Sequence, residues 1–381
     1  VVNSPAGAAR STTPVAGTAK TARVSGGAGC LAAEAGARAR PRSVTTWEGW
    51  RDFVGAPVPV PPAPGAEPRG PEERLVYHSR FVVVRTPAID ALAKNVRTLM
   101  ILGRHQDVTA RPGLIVTGPA AAGKTTALLQ VGRACHLAHT ARGGAGGGED
   151  GGEGVPVAYV LVPPAATAKA LAAEFARYLG VPITDRMTQA QITNAVCHVY
   201  GEAGVRLVMI DEIHRLNPRT TAGAETADLL KDLTERIGAT FVYAGIDVAA
   251  TPLFAGVRGA QLAGRACLVE CGAFPARVGG AEPFGDLVAA MENALDLRAH
   301  RAGTLPRLVS YLHARTAGRI GSLARLVRQA AIGAILDGTE RITRGGLDAV
   351  RIDHLAEEHH RPRNPTRARA TPARATARRV P

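Results

Sequence analysis

Aromatic side chains are scarce: Trp, Tyr and Phe make up 4% of 381 residues, while Ala, Gly, Arg and Pro abound. That bias is one of GC-rich coding as much as of structural design. Long apolar runs are missing too. No stretch reaches the ~18 consecutive apolar residues of a membrane span, so no transmembrane helix is expected. The N-terminus lacks the charged-then-apolar layout of a secretory signal, which predicts a cytoplasmic chain with no membrane partner. Cysteines are few and odd in number, and Cys30, Cys135, Cys197, Cys267 and Cys271 show no zinc-like spacing. Cys267 and Cys271 stand four apart in a strand-like segment and so share a face, which predicts core thiols rather than ligands or a disulfide.

Acidic residues are outnumbered, 32 against 46 Lys and Arg, for a net charge of +14. The excess sits at the ends. Residues 1–44 hold six basic residues and one acid (+5), residues 361–381 hold seven arginines and no acid (+7), and +2 remains for residues 45–360. Any basic footprint on the folded part must therefore be a local patch.

What is present is a nucleotide motif. The apolar run Leu114-Ile115-Val116 leads into Gly118-Pro119-Ala120-Ala121-Ala122-Gly123-Lys124-Thr125-Thr126, and a helix-like stretch follows from Ala127. Strand, glycine-bounded loop and helix stand in the order a phosphate-binding loop requires. Gly118 and Gly123 permit backbone angles that turn successive N–H groups inward as a nest for phosphate oxygens. The helix N-terminus adds partial positive charge, Lys124 a full one for the β- and γ-phosphates, and the Thr125 hydroxyl a ligand for Mg2+. A second motif, Leu207-Val208-Met209-Ile210-Asp211-Glu212-Ile213-His214, is a buried strand with two carboxylates at its C-terminal end. In open α/β sheets that end binds ligands, and the phosphate loop leaves the same end of its own strand. Asp211 fits the acid that organises Mg2+, and Glu212 the base that polarises the attacking water. A guanine-reading Asn-Lys-x-Asp motif is absent, and a small-molecule kinase would lack the acid pair, so ATP hydrolysis is the expected chemistry.

The surrounding sequence supplies the organisation. Residues 1–44 have no apolar period and are expected to be disordered. Residues 45–109 read as an N-terminal helical and linker region. Trp47, Trp50 and Val54 form one helix face, residues 56–72 a Pro-rich linker, Phe81-Val82-Val83-Val84 a strand or extended strap, and Thr86 caps a helix with Pro87 in its first turn. Residues 110–275 alternate strands and helices with short connections, which predicts a parallel sheet with helices on both faces. Within this region Thr167 caps one helix, and Thr188 with Gln191 makes a capping box for another. Residues 276–355 read as a bundle of four helices, with Arg319 able to reach back to the nucleotide and Arg325 and Arg328 on a solvated face. Residues 356–381 form a basic, disordered tail.

These motifs resemble those of the AAA+ ATPases and, in detail, the TniB/TnsC-type ATPases of bacterial transposition. The resemblance rests on Gly118 to Thr126, Ile210 to His214, Gln261 to Arg265, Thr316-x-Gly318-x-Ile320-Gly321-x-Leu323, and Gly338-x-Glu340-x-Ile342-Thr343, over roughly residues 75–355. It implies a P-loop α/β domain with a C-terminal helical lid. It also implies ATP and Mg2+ as cofactors, assembly as a ring or filament of copies on double-stranded target DNA, and a transposase as partner. Arg265 would be the arginine that reaches a neighbouring subunit's γ-phosphate, against the plain alternative of a surface arginine. The polar sensor such proteins carry would fall near Gly245-Ile246, where this chain is apolar; Tyr243 and Asp247 are the nearest substitutes. The other function considered is a nucleotide-switched regulator that binds proteins and no DNA.

Overall fold

The computed structural model describes residues 42–63, 67–80, 82–105, 111–143, 154–216, 221–248, 254 and 263–360. The expectations for residues 1–41, for Gln261-Leu262 and for the arginine-rich segment 361–381 lie outside them.

Five short strands build the centre: β1 (Gly113–Thr117), β2 (Val157–Leu161), β3 (Leu207–Asp211), β4 (Thr240–Gly245) and β5 (Ala266–Glu270). They form one sheet in the order β2-β3-β4-β1-β5, and every pairing is parallel. β1, β3 and β4 are buried along their whole length, as strands covered on both faces must be. Among the described residues the helices between strands are α4 (Lys124–Gly143), α5 (Ala168–Tyr178), α6 (Gln189–Glu202) and α7 (Thr221–Arg236). The chain crosses from β1 out to β2 and then steps back through β3 to β4. Right-handed crossovers therefore put α4 on one face and α5 to α7 on the other. The reversal leaves a crevice at the C-terminal strand ends.

Local chemistry sets the helix starts. The hydroxyls of Thr46, Thr86, Thr167 and Thr188 accept first-turn N–H groups of α1 (Trp47–Gly55), α3 (Pro87–Leu102), α5 and α6. Thr188 and Gln191 close the expected capping box. α1 packs on the core: Trp50 is fully buried and donates Nε1–H to His136 Nδ1 (3.2 Å). Sequence reading passed over α2 (Pro71–Ser79), which begins inside the expected linker, with Glu73 accepting the Gly70 N–H. Residues 82–86 are an extended strap and not a strand; Phe81 lies outside the described residues.

The C-terminal part has its own core around Phe284, Leu305, Leu312, Leu323, Leu326 and Leu347. Its helices are α8 (Pro283–Asn293), α9 (Val309–Thr316), α10 (Ile320–Leu336), α11 (Arg344–Ala349) and α12 (His354–His360). The boundary expected at 355/356 falls inside α12. α2 precedes the sheet in sequence yet packs on α10 of this lid. Arg74, 1% exposed, forms a forked ion pair with Glu340, and Tyr77 Oη donates to the Ala294 carbonyl (2.7 Å).

Two expectations are corrected here. Arg328 is not on a solvated face: its guanidinium donates to the His78 and Ser79 carbonyls at the end of α2. Cys267 is exposed whereas Cys271 is buried, because β5 is an edge strand and Cys271 lies past its end, tucked over the phosphate loop.

Candidate nucleotide-binding site

The loop between β1 and α4 turns as its glycines allow. Gly118 (φ +151°) and Gly123 (φ +91°) take the backbone region open to glycine, and Ala121 joins them at φ +60°. A Cβ at Gly118 would stand 2.0 Å from the Cys271 carbonyl oxygen, so the loop needs glycine for close approach as well. Between the two glycines, Pro119, Ala120, Ala121 and Ala122 carry no long side chain into the crevice, and Thr126 follows in the first turn of α4. Lys124 donates to the Gly118 and Pro119 carbonyls (2.8 and 2.7 Å). Burial lowers its pKa, opposed by the negative charge of Asp211, Glu212 and Asp247 and by Cys271.

Asp211 is held from three sides. Its Oδ2 accepts from Thr125 Oγ1 (2.6 Å) and Tyr159 Oη (2.9 Å), and its Oδ1 from the Glu212 N–H (2.8 Å). Burial, then Asp211 itself, raise the Tyr159 pKa, so its phenol is a fixed donor. Glu212 takes a left-handed backbone (φ +64°), unusual for a non-glycine residue, which turns the chain sharply off β3. Its carboxylate pairs with Arg215 (3.1 Å) and lies 3.6 Å from His214 Nε2, while His214 Nδ1 accepts the Ile246 N–H from the end of β4.

Beside the loop is a cavity of about 330 Å3. Apolar walls come from Val82, Val83, Val84 and Ile89 on one side and from Met291 and Ile320 of the lid on the other, while Lys124, Thr125 and Glu212 lie on its floor. The start of α10 leans on the phosphate loop, the Gly321 N–H donating to the Ala121 carbonyl (2.8 Å). Arg319 caps that helix start, and its Nη1 is buried with no hydrogen-bond partner.

Arg265 stands apart. Its carbonyl accepts the Gly113 N–H at the N-terminal end of β5, and its side chain lies 3.6 Å from Glu235. Six residues of extended chain, roughly 20 Å, separate that level from Gly118. Of the two sensor substitutes, Tyr243 is buried in the core, sharing a hydrogen bond with Thr234 (2.7 Å). Asp247 is exposed past β4 with φ +45° and close enough to raise the Lys124 pKa. Sequence reasoning missed Tyr159, Arg215, Ile246 and Cys271 at this site. Ile246 had a signal in its place after β4, and Arg215 in its i, i+3 spacing from Glu212; Tyr159 and Cys271 enter through the register of neighbouring strands.

A purine-sized apolar cavity, a loop turned by positive φ at Gly118, Ala121 and Gly123, an ammonium and a Thr–Asp pair of hard oxygen donors together fit a nucleoside triphosphate with Mg2+. With the sheet order and the helical lid, they define a P-loop NTPase of the AAA+ class. Solved structures with this fold include Orc1 of Aeropyrum pernix, determined in complex with DNA: TM-score 0.50 at 16% identity, over 74% of this chain and 66% of that one, just under two thirds of its length. They also include Orc2 of Aeropyrum pernix, as ADPNP–ADP complexes (TM-score 0.51, 15% identity, 82% and 72% covered). A third is Cdc6p of Pyrobaculum aerophilum (TM-score 0.51, 13% identity, 69% and 66% covered). No curated protein sequence matches significantly. The model of the bacterial TniB protein family matches residues 74–265, and the chain belongs to that family. Among the described residues no helix is long and apolar enough to cross a membrane.

Proposed function

We propose that this chain is an ATP-binding and ATP-hydrolysing regulator of DNA transposition that assembles on double-stranded target DNA and recruits a transposase. The family match carries the biological half of that reading. The chemical half rests on one observation: Thr125, in the first turn of α4, and Asp211, at the end of β3, meet at 2.6 Å beside Lys124.

Gly118 to Gly123 would hold phosphate oxygens with backbone N–H groups, Lys124 would leave the two loop carbonyls for the β- and γ-phosphates, and Arg319 would use its free N–H on the γ-phosphate. Thr125 and Asp211 would hold Mg2+, which when bound draws charge from the phosphates and lowers the barrier to their transfer. Glu212 would take the proton of the attacking water once Arg215 releases its carboxylate. The strap and the lid exclude water from the base. A nucleotide-binding domain over 110–275 and a lid over 276–355, joined by α2, account for these roles. Arg265 acts on the site of a neighbouring copy in a ring or filament.

The test uses the full chain on duplex DNA with ATP. Glu212→Gln is expected to bind nucleotide and to accumulate DNA-bound assemblies that no longer dissolve, seen by sedimentation or electron microscopy. Lys124→Ala is expected to lose nucleotide binding and assembly together. Normal disassembly of the first variant, or normal ATP affinity of the second, would overturn the reading.

A further inference from the structure

We propose that Tyr159 is a positioning residue for the Mg2+-organising carboxylate of Asp211, and that α1 holds it in place. The proposal rests on the site reading above and adds a residue to it. A carboxylate oxygen accepts two good hydrogen bonds, and both positions on Asp211 Oδ2 are taken, by Thr125 at 2.6 Å and Tyr159 at 2.9 Å. The Glu212 N–H fixes the other oxygen. With its orientation set this way, Asp211 offers Thr125 one acceptor direction, and the Thr125 lone pairs are left toward the crevice for a cation.

Tyr159 reaches Asp211 because β2 and β3 run parallel with Tyr159 beside Met209 and Leu161 beside Asp211. Its ring is 4% exposed and lies near-parallel to that of Trp50, centroids 6.4 Å apart at 14°. Gly132 of α4 leaves room for this stack: a Cβ there would meet Met209 at 2.4 Å and Trp50 at 2.8 Å. Trp50 lies upstream of the stretch that the family model matches. The N-terminal helix, which meets α4 at Arg133 and His136, thereby bears on the metal-organising acid through one ring and one hydroxyl.

Outer-shell partners of metal ligands typically matter by ~10–100-fold in metal affinity. The measurement is the affinity of the full chain for a fluorescent ATP analogue, titrated against free Mg2+ and repeated in EDTA. Tyr159→Phe keeps the ring and removes the hydroxyl. It is expected to raise the Mg2+ concentration for half-maximal effect by about tenfold or more, with affinity in EDTA unchanged and the thermal midpoint lowered only as the loss of one buried hydrogen bond requires. Trp50→Phe, which loosens the stack and leaves the hydroxyl, is expected to shift the same curve by less. A Tyr159→Phe curve that superposes on the wild type, or an equal loss with and without Mg2+, overturns the proposal. Asp211→Asn separates the two readings. If the wild type itself shows no Mg2+ dependence and Asp211→Asn changes nothing, the site reading fails as well.

Discussion

A methyl group has no room at Gly321. A Cβ there would stand 2.7 Å from the Ala121 carbonyl oxygen, which is backbone and cannot swing aside. Gly321→Ala must lever the start of α10 off the phosphate loop and carry Arg319 and Ile320 with it. Nucleotide affinity is expected to fall about tenfold, or ~1.4 kcal/mol, by fluorescence titration; an unchanged Kd would mean that the lid contact contributes nothing to binding. A second pair of substitutions tests the sensor. Tyr243→Phe removes only a core hydrogen bond to Thr234 and should cost about 1 kcal/mol of stability, with turnover unchanged. Asp247→Asn removes a carboxylate whose charge reaches Lys124, and slowed single-turnover hydrolysis at unchanged ATP affinity is expected. The reverse pattern would make Tyr243 the sensor.

Among the elements, α2 is the joint that the rest of the molecule explains. It is tied to the lid by Arg74–Glu340 and Tyr77–Ala294, and the strap after it packs Val84 on the lid core before Thr86 caps α3 on the main core. One wall of the cavity therefore spans two cores, and movement of the lid has to pull on it. Glu340→Gln leaves the Arg74 guanidinium buried beside a neutral amide and should destabilise by up to about 3–5 kcal/mol. The hydrogen bond from Arg74 holds the Glu340 carboxyl below its ordinary range, burial opposing it. The folded value is depressed, so this stabilisation is complete above the unfolded carboxyl pKa of about 4.3 and is lost as pH falls through the folded value. The Tm gap between wild type and Glu340→Gln should be widest near neutrality and narrow in acid; a gap independent of pH would exclude the pair as its source. Sequence patterns made the phosphate loop, the acid pair after β3, the threonine caps and the lid helices legible, because each is a local signal. α2 was not legible: it is polar, starts at a proline after a proline-rich run, and its apolar partner lies some 250 residues away in the lid, as in the Arg328–His78 contact. Tyr159 and Cys271 were hidden for the same reason, since parallel register and not spacing along the chain brings them to the site.

For the whole molecule, the decisive fact is that Arg265 lies at the opposite end of the sheet from Lys124 of its own chain, farther than its side chain reaches. An arginine that serves catalysis from there must serve another copy. Its present partner, Glu235 at 3.6 Å, is about half exposed, as is Arg265 itself, and such a pair is worth at most ~1 kcal/mol, so release costs little. Arg265→Ala is expected to leave the nucleotide affinity of the dilute chain unchanged and to abolish DNA-stimulated hydrolysis. The distinguishing experiment mixes two inactive proteins. Glu212→Gln binds ATP and assembles but does not hydrolyse it and keeps an intact Arg265, whereas Arg265→Ala has an intact site and no arginine to offer. If Arg265 acts between copies, the mixture recovers part of the wild-type rate, in proportion to the interfaces where an intact site faces an intact arginine. Recovery should be strongest at concentrations where assemblies form on DNA and vanish on dilution. Full activity of Arg265→Ala alone would return it to the role of a surface arginine. Loss with no recovery on mixing would mean that Arg265 supports its own chain's fold and not a neighbour's chemistry.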